Sequence, residues 1–156
     1  MTAPGPVLCA VDFSADSEAA LLWAAAQAER EDARLVVLHV VHDPASSPGF
    51  YQEPGADRLR PMEEVAAEMF AAFLDDVRRS NPEAPGLGRI ETRLVTGLPS
   101  GRICEVAAEI GARLVVVGSR GRTGLPHIML GSVAERVAQI AEAPVTVVKT
   151  PESGTR

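Results

Sequence analysis

The residues best placed to do chemistry lie in one stretch, GSRGRTGLPHIMLGSVAERV, which begins at Gly118. Gly118 is followed two residues on by Gly121, and nine residues further by Gly131 and Ser132, with Arg120 and Arg122 between them. Glycine lets backbone amides approach a ligand without a Cβ in the way and permits positive φ. A helix beginning at Ser132 would add unpaired N–H groups and a partial positive charge. With two arginines nearby, these groups suit phosphate. Ser132 and Glu135 also form the S-x-x-E pattern of a capping box, so the serine is expected to cap its helix, and the same helix end can still meet a ligand. A second polar cluster, Asp12 and Ser14, closes an apolar run near the start of the chain, and Ser14 is the expected N-cap of the helix that follows. The two common phosphate fingerprints, G-x-x-x-x-G-K-[ST] and G-x-G-x-x-G after a strand, are absent.

These residues need elements to position them. Residues 7–11 read as a short buried strand, and 15–30 as an Ala-rich helix with Leu21, Ala24, Ala25 and Ala28 on one face. LVVLHVV, residues 35–41, is a near-continuous β-branched run that suits a strand covered on both faces. Residues 42–60 carry prolines, glycines and serines and read as a long loop. A helix over 61–80 should turn Met62, Val65, Ala66, Met69, Phe73 and Val77 inward, starting from Pro61. Residues 90–95 alternate as an edge strand does. A helix over 99–112 buries Ile103, Val106, Ala107 and Ile110 and ends near Gly111. LVVVG, 114–118, is another buried strand; 132–142 is a helix with Val133, Val137 and Ile140 facing in; 144–149 is the last strand.

Strands alternating with helices give an α/β fold, a single doubly wound five-stranded parallel sheet with helices on both faces. The expected order is 3-2-1-4-5, and ligands then bind outside the carboxyl ends of the strands where the order reverses. Strand 1 ends at Asp12 and strand 4 at Gly118, so the two clusters would face each other. One domain over 1–150 and a flexible tail over 151–156 are expected.

Bulk properties narrow the function. The 156 residues carry a net charge of −6, which argues against general affinity for nucleic acid, so any anion site must be local. No run approaches the roughly 18 apolar residues of a membrane span, and the first residues lack the charge and apolar core of a signal peptide, so a cytoplasmic protein is expected. Aromatics make up only 4%, which leaves the core to Ala, Val, Leu and Ile. Cys9 and Cys104 are far apart and read as buried small hydrophobes. His39 lies inside an apolar strand and reads as structural, His42 could reach the cleft, and His127 lies in the glycine loop.

Residues 115–148 resemble the universal stress protein family, and the resemblance extends over nearly the whole chain. ATP-binding members carry G-x-x-G-x(9)-G-[ST], and Gly118, Gly121, Gly131 and Ser132 match each fixed position. AVDFSADSEAA is similar to the family's opening, and Gly97-Leu98-Pro99 to its G-x-P segment. The resemblance implies an adenine nucleotide alpha hydrolase-like fold and an ATP-binding regulator or sensor in stress response. It implies that Asp12 contacts the ribose or a phosphate-bound Mg ion, and that Val40 or Val41 lies against adenine. Val117 and Gly118 would border the nucleotide, Arg120 and Gly121 would lie beneath its phosphates, and Gly131, Ser132 and Val133 would donate from the helix end. It also implies a homodimer through the last strand, Val145 to Lys149. A regulator of this kind would act by population shift, with an unidentified protein partner reading the bound state.

No second carboxylate or base is placed by spacing to activate water, so a binding regulator is favoured over an enzyme. A slow ATP hydrolase of the same superfamily and a nucleotide-free dimeric interaction module stay open. A phosphoacceptor receiver domain needs an acidic residue at the end of strand 3, where this chain has Val95-Thr96-Gly97.

Overall fold

The computed structural model describes residues 5–42, 50–51, 60–120 and 130–150. The chain runs β1 (Val7–Ala10), α1 (Ala15–Arg30), β2 (Leu35–His42), β3 (Phe50–Tyr51), β4 (Arg60–Pro61), α2 (Met62–Ser80), β5 (Ile90–Gly97), α3 (Pro99–Ile110), β6 (Leu114–Gly118), α4 (Ser132–Ile140) and β7 (Val145–Val148). Five strands form a parallel sheet in the order β5-β2-β1-β6-β7, the 3-2-1-4-5 winding expected from the sequence. β3 and β4 form a separate two-residue antiparallel pair, so the segment read as one long loop carries paired backbone of its own.

The strands bury both faces because their side chains alternate between two apolar layers. Val7, Cys9, Val37 and Val116 pack under α1 and α2, whereas Leu8, Val36, Leu38, Val115 and Val117 pack under α3 and α4. Four alanines of α1, Ala20, Ala24, Ala25 and Ala28, are 3% exposed or less and let that helix approach the sheet closely. Burial pushes the Cys9 thiol up to about 12, so it behaves as a small apolar residue. Cys104 is only half-buried.

Two helix faces differ from expectation. In α2 the buried residues are Met62, Ala66, Phe70, Leu74 and Val77; Met69 is 40% exposed, and Val65 and Phe73 are half-buried. The helix carries a wide apolar sector, and the sheet takes one side of it. In α4 the buried pair is Ala134 and Val137, while Val133 and Ile140 are exposed. Small Ala134 sits in the layer with Ile103 and Val106, which turns Val133 outward. α3 follows expectation, ending at Gly111 in the left-handed region at φ 63°. Among the described residues no helix is long and apolar enough to cross a membrane.

Candidate functional site

The order reversal lies between β1 and β6, and there a cleft of about 390 Å³ opens at the carboxyl ends of β1, β2 and β6. Val40, Val117 and Ile103 give it apolar surface; Asp12, His42 and Ser132 give it polar groups. Of the two valines offered for the adenine, Val40 lines the cleft. Val41 points to the opposite face, where it packs with Met62 and Ala66. Adjacent strand residues point opposite ways, so only one of the pair can take part through its side chain.

Asp12 is held by a tight turn. Its Oδ1 accepts from the Ser14 N–H at 3.1 Å and the Ser17 hydroxyl at 2.6 Å, and its own N–H donates to Ser17 Oγ at 2.8 Å. Ser14 caps α1 as expected, its hydroxyl accepting from the Ser17 N–H at 3.1 Å. Between them Phe13 adopts φ 71°, a left-handed conformation that costs a non-glycine residue about 1–2 kcal/mol. The turn brings the Phe13 ring onto His39, centroids 4.2 Å apart. His39 Nδ1 lies 2.8 Å from the Val11 carbonyl oxygen, an acceptor, so that nitrogen carries the proton. His39 is 8% exposed and structural in the sense expected, although its edge reaches the cleft.

The glycines are shaped by packing. A Cβ on Gly118 would lie 2.9 Å from the backbone and Cβ of Asp16, so β6 can end against α1 only with glycine there. A Cβ on Gly131 would lie 3.0 Å from the Arg120 carbonyl oxygen and 3.1 Å from that of Ser119. The Gly131 N–H donates to Ser119 O at 2.6 Å, so this amide is already bonded and differs from its expected role as a phosphate donor. The expected serine cap also fails. The cap residue of α4 is Gly131, whose carbonyl accepts from the Glu135 N–H at 2.9 Å. Ser132 is therefore the first helical residue, one position too late to bond the third amide. The N–H groups of Ser132, Val133 and Ala134 stand at the first turn, where a helix offers no internal acceptor. All three residues line the cleft, and the rotation of α4 that exposes Val133 also turns it there.

Arg120 is turned to a partner the sequence reading missed. Asp16, 4% exposed, accepts from the Arg120 N–H at 2.9 Å, from Nε at 3.1 Å and from Nη2 at 3.0 Å, and from the Ser119 hydroxyl at 3.3 Å. Arg120 Nη2 also donates to Thr150 O at 3.3 Å. Burial pushes the Asp16 carboxyl up, but hydrogen bonds from Arg120 and its charge outweigh this and hold it below the ordinary carboxylate value. Instead of standing as local charge for phosphate, the guanidinium is committed to an ion pair at the rim of the cleft. The two residues lie 104 positions apart, and no spacing rule connects them. Gly121, Arg122, Gly124, His127 and the tail over 151–156 lie outside the described residues.

Sheet order, cleft and helix terminus together define a class: a doubly wound α/β domain with a mainly apolar cleft, edged by a few polar groups, at its strand-order reversal. Within that class the chain belongs to the universal stress protein family, whose model matches residues 5–149. It is 34% identical over 148 residues to universal stress protein YxiE of Bacillus subtilis, covering 92% of this chain and 97% of that one. It spans less than half of two other curated relatives, 38% of MJ0531 of Methanocaldococcus jannaschii and 45% of a universal stress protein of Mycolicibacterium smegmatis. Among solved structures it resembles a universal stress protein in complex with cAMP, with TM-score 0.64, 26% identity and coverage of 96% and 100%. It also resembles the universal stress protein of Archaeoglobus fulgidus in complex with dAMP, with TM-score 0.63, 25% identity and coverage of 96% and 100%.

Proposed function

We propose that this chain binds an adenine nucleotide, ATP in the first instance, in the cleft at the strand-order reversal, and acts as a nucleotide-dependent regulator in stress response. The observation that carries the reading is the pairing, in one cleft, of apolar Val40 and Val117 with the first-turn amides of α4. An adenine ring needs the former and a phosphate the latter. Relatives in complex with cAMP and dAMP support adenine as the base.

Asp12 is the carboxylate on the cleft wall. Its fixed turn suits it to accept from a ribose hydroxyl or to hold a magnesium ion carried by the phosphates. Regulation would work by population shift, with bound nucleotide favouring one arrangement that a protein partner reads. A homodimer through β7 belongs to the same reading. Val115 N–H donates to Pro144 O at 2.9 Å and Ser119 N–H to Val148 O at 3.0 Å. The backbone of Val145 and Val147 therefore faces away from β6, and an open apolar edge of this kind favours a second strand. The free thiols of Cys9 and Cys104 fit the reducing cytoplasm, where we place the protein.

The test is to purify the protein without added nucleotide, denature it, and analyse the released small molecules by mass spectrometry. Adenine nucleotide in stoichiometric amount is expected. Its absence, together with no binding of added ATP, would leave the nucleotide-free interaction module as the better account.

A further inference from the structure

The nucleotide reading leaves Asp16 unused: it is buried, charged and not part of the cleft lining. Its carboxylate gathers the Ser119 hydroxyl, the Arg120 amide and the Arg120 guanidinium. These two residues in turn hold the start of α4, because the Gly131 N–H donates to Ser119 O, and a Cβ on Gly131 would lie only 3.0 Å from the Arg120 carbonyl oxygen and 3.1 Å from that of Ser119. A short chain of contacts thus runs from α1 through residues 119–120 to the first turn of α4. Gly118 lets the chain pass close to Asp16 with no side chain intervening.

We propose that Asp16 is a positioning residue for the phosphate end of the cleft: through Ser119 and Arg120 it fixes where the amides of Ser132, Val133 and Ala134 point. This rests on the reading of the cleft as a nucleotide site. Arg120 acts within the same latch, aligning backbone donors rather than meeting the phosphate itself. A carboxylate does this where an amide cannot, because both oxygens must accept: Oδ2 from the Ser119 hydroxyl, the Arg120 N–H and Nε, and Oδ1 from Nη2.

The experiment compares wild type with Asp16→Asn, with Arg120→Lys as a milder break of the same pair, and with Glu18→Gln as a control that removes a carboxylate from the same turn of α1. Amide hydrogen exchange is followed on the nucleotide-free proteins, and ATP affinity is measured by calorimetry. The latch predicts that exchange at the hydrogen-bonded amides of Gly131 and Glu135 speeds up at least tenfold more than exchange in α3 and β5, in both latch variants. It also predicts that ATP affinity falls at least tenfold in both, with Glu18→Gln at wild-type values throughout. Unchanged exchange at Gly131 and Glu135, or exchange raised there no more than across the sheet, would overturn the latch. Altered exchange with unchanged ATP affinity would overturn its role for the ligand. A wild type that binds no ATP would overturn the nucleotide reading, and the exchange data would still decide whether Asp16 holds α4.

Discussion

At Gly118 the structure gives a reason for glycine that needs no ligand. An added Cβ would meet the Asp16 backbone at 2.9 Å, so Gly118→Ala is expected to destabilise the nucleotide-free protein by about 1–3 kcal/mol in urea unfolding. Equal stability, with loss of ligand alone, would return this glycine to a role at the border of the nucleotide. Ser132 separates the two roles of its helix end. It is exposed at the first helical position, and Ser132→Asp should stabilise α4 by about 0.3–1 kcal/mol through the helix dipole. The same charge should repel phosphate and weaken ATP binding at least tenfold, so stability and affinity move in opposite directions. Asp16 sets a third expectation. Its carboxyl titrates below the ordinary value of 3.8 in the folded protein, so its ion pair contributes stability above that value and loses it as pH falls through the folded pKa. The stability gap between wild type and Asp16→Asn should be full at neutral pH, on the order of 3 kcal/mol for a buried pair, and should shrink in acid unfolding series below about pH 4. A gap independent of pH would mean that the substitution acts through packing alone.

Elements were legible in the sequence where period and punctuation agree, and illegible where two faces are equally apolar. β1, β6 and α3 follow from an apolar run, a terminal glycine, and i, i+3, i+4 spacing that stops at Gly111. β2 is buried at seven of its eight positions, so no alternation tells Val40 from Val41; only pairing with β1 decides which valine meets the cleft. α2 carries apolar residues over a wide sector, and its inner stripe runs through Phe70 and Leu74 instead of Met69 and Phe73. Phe70→Ala is therefore expected to cost about 3–5 kcal/mol, and Met69→Lys less than about 0.5 kcal/mol, in chemical denaturation. The reverse ranking would mean that α2 packs on its other side. The S-x-x-E pattern misled at α4, because the backbone bond from Gly131 to Ser119 starts the helix one residue earlier. The Asp16–Arg120 pair could not be read at all, since two charges so far apart meet only once β6 lies beside β1.

For the whole molecule, the winding that places β1 beside β6 also leaves β5 and β7 as the two edges. If β7 pairs with a second copy, Val147→Pro removes an outward N–H while leaving the bonds to β6 in place. Sedimentation should then show a dimer for wild type and a monomer of unchanged fold for the variant; a wild-type monomer would dispose of this interface. Nucleotide acts on the same scale, since a ligand that binds only the folded chain at about 100 times its dissociation constant adds roughly 2.7 kcal/mol.

The most direct measurement is a calorimetric titration of the protein, freed of any nucleotide carried through purification, with ATP and magnesium. A cleft built from Val40, Val117, Asp12 and the first turn of α4 predicts saturable binding at one site per chain, weakened at least tenfold in Ser132→Asp. No heat with wild type, and no rise in its melting temperature at millimolar ATP, would contradict it.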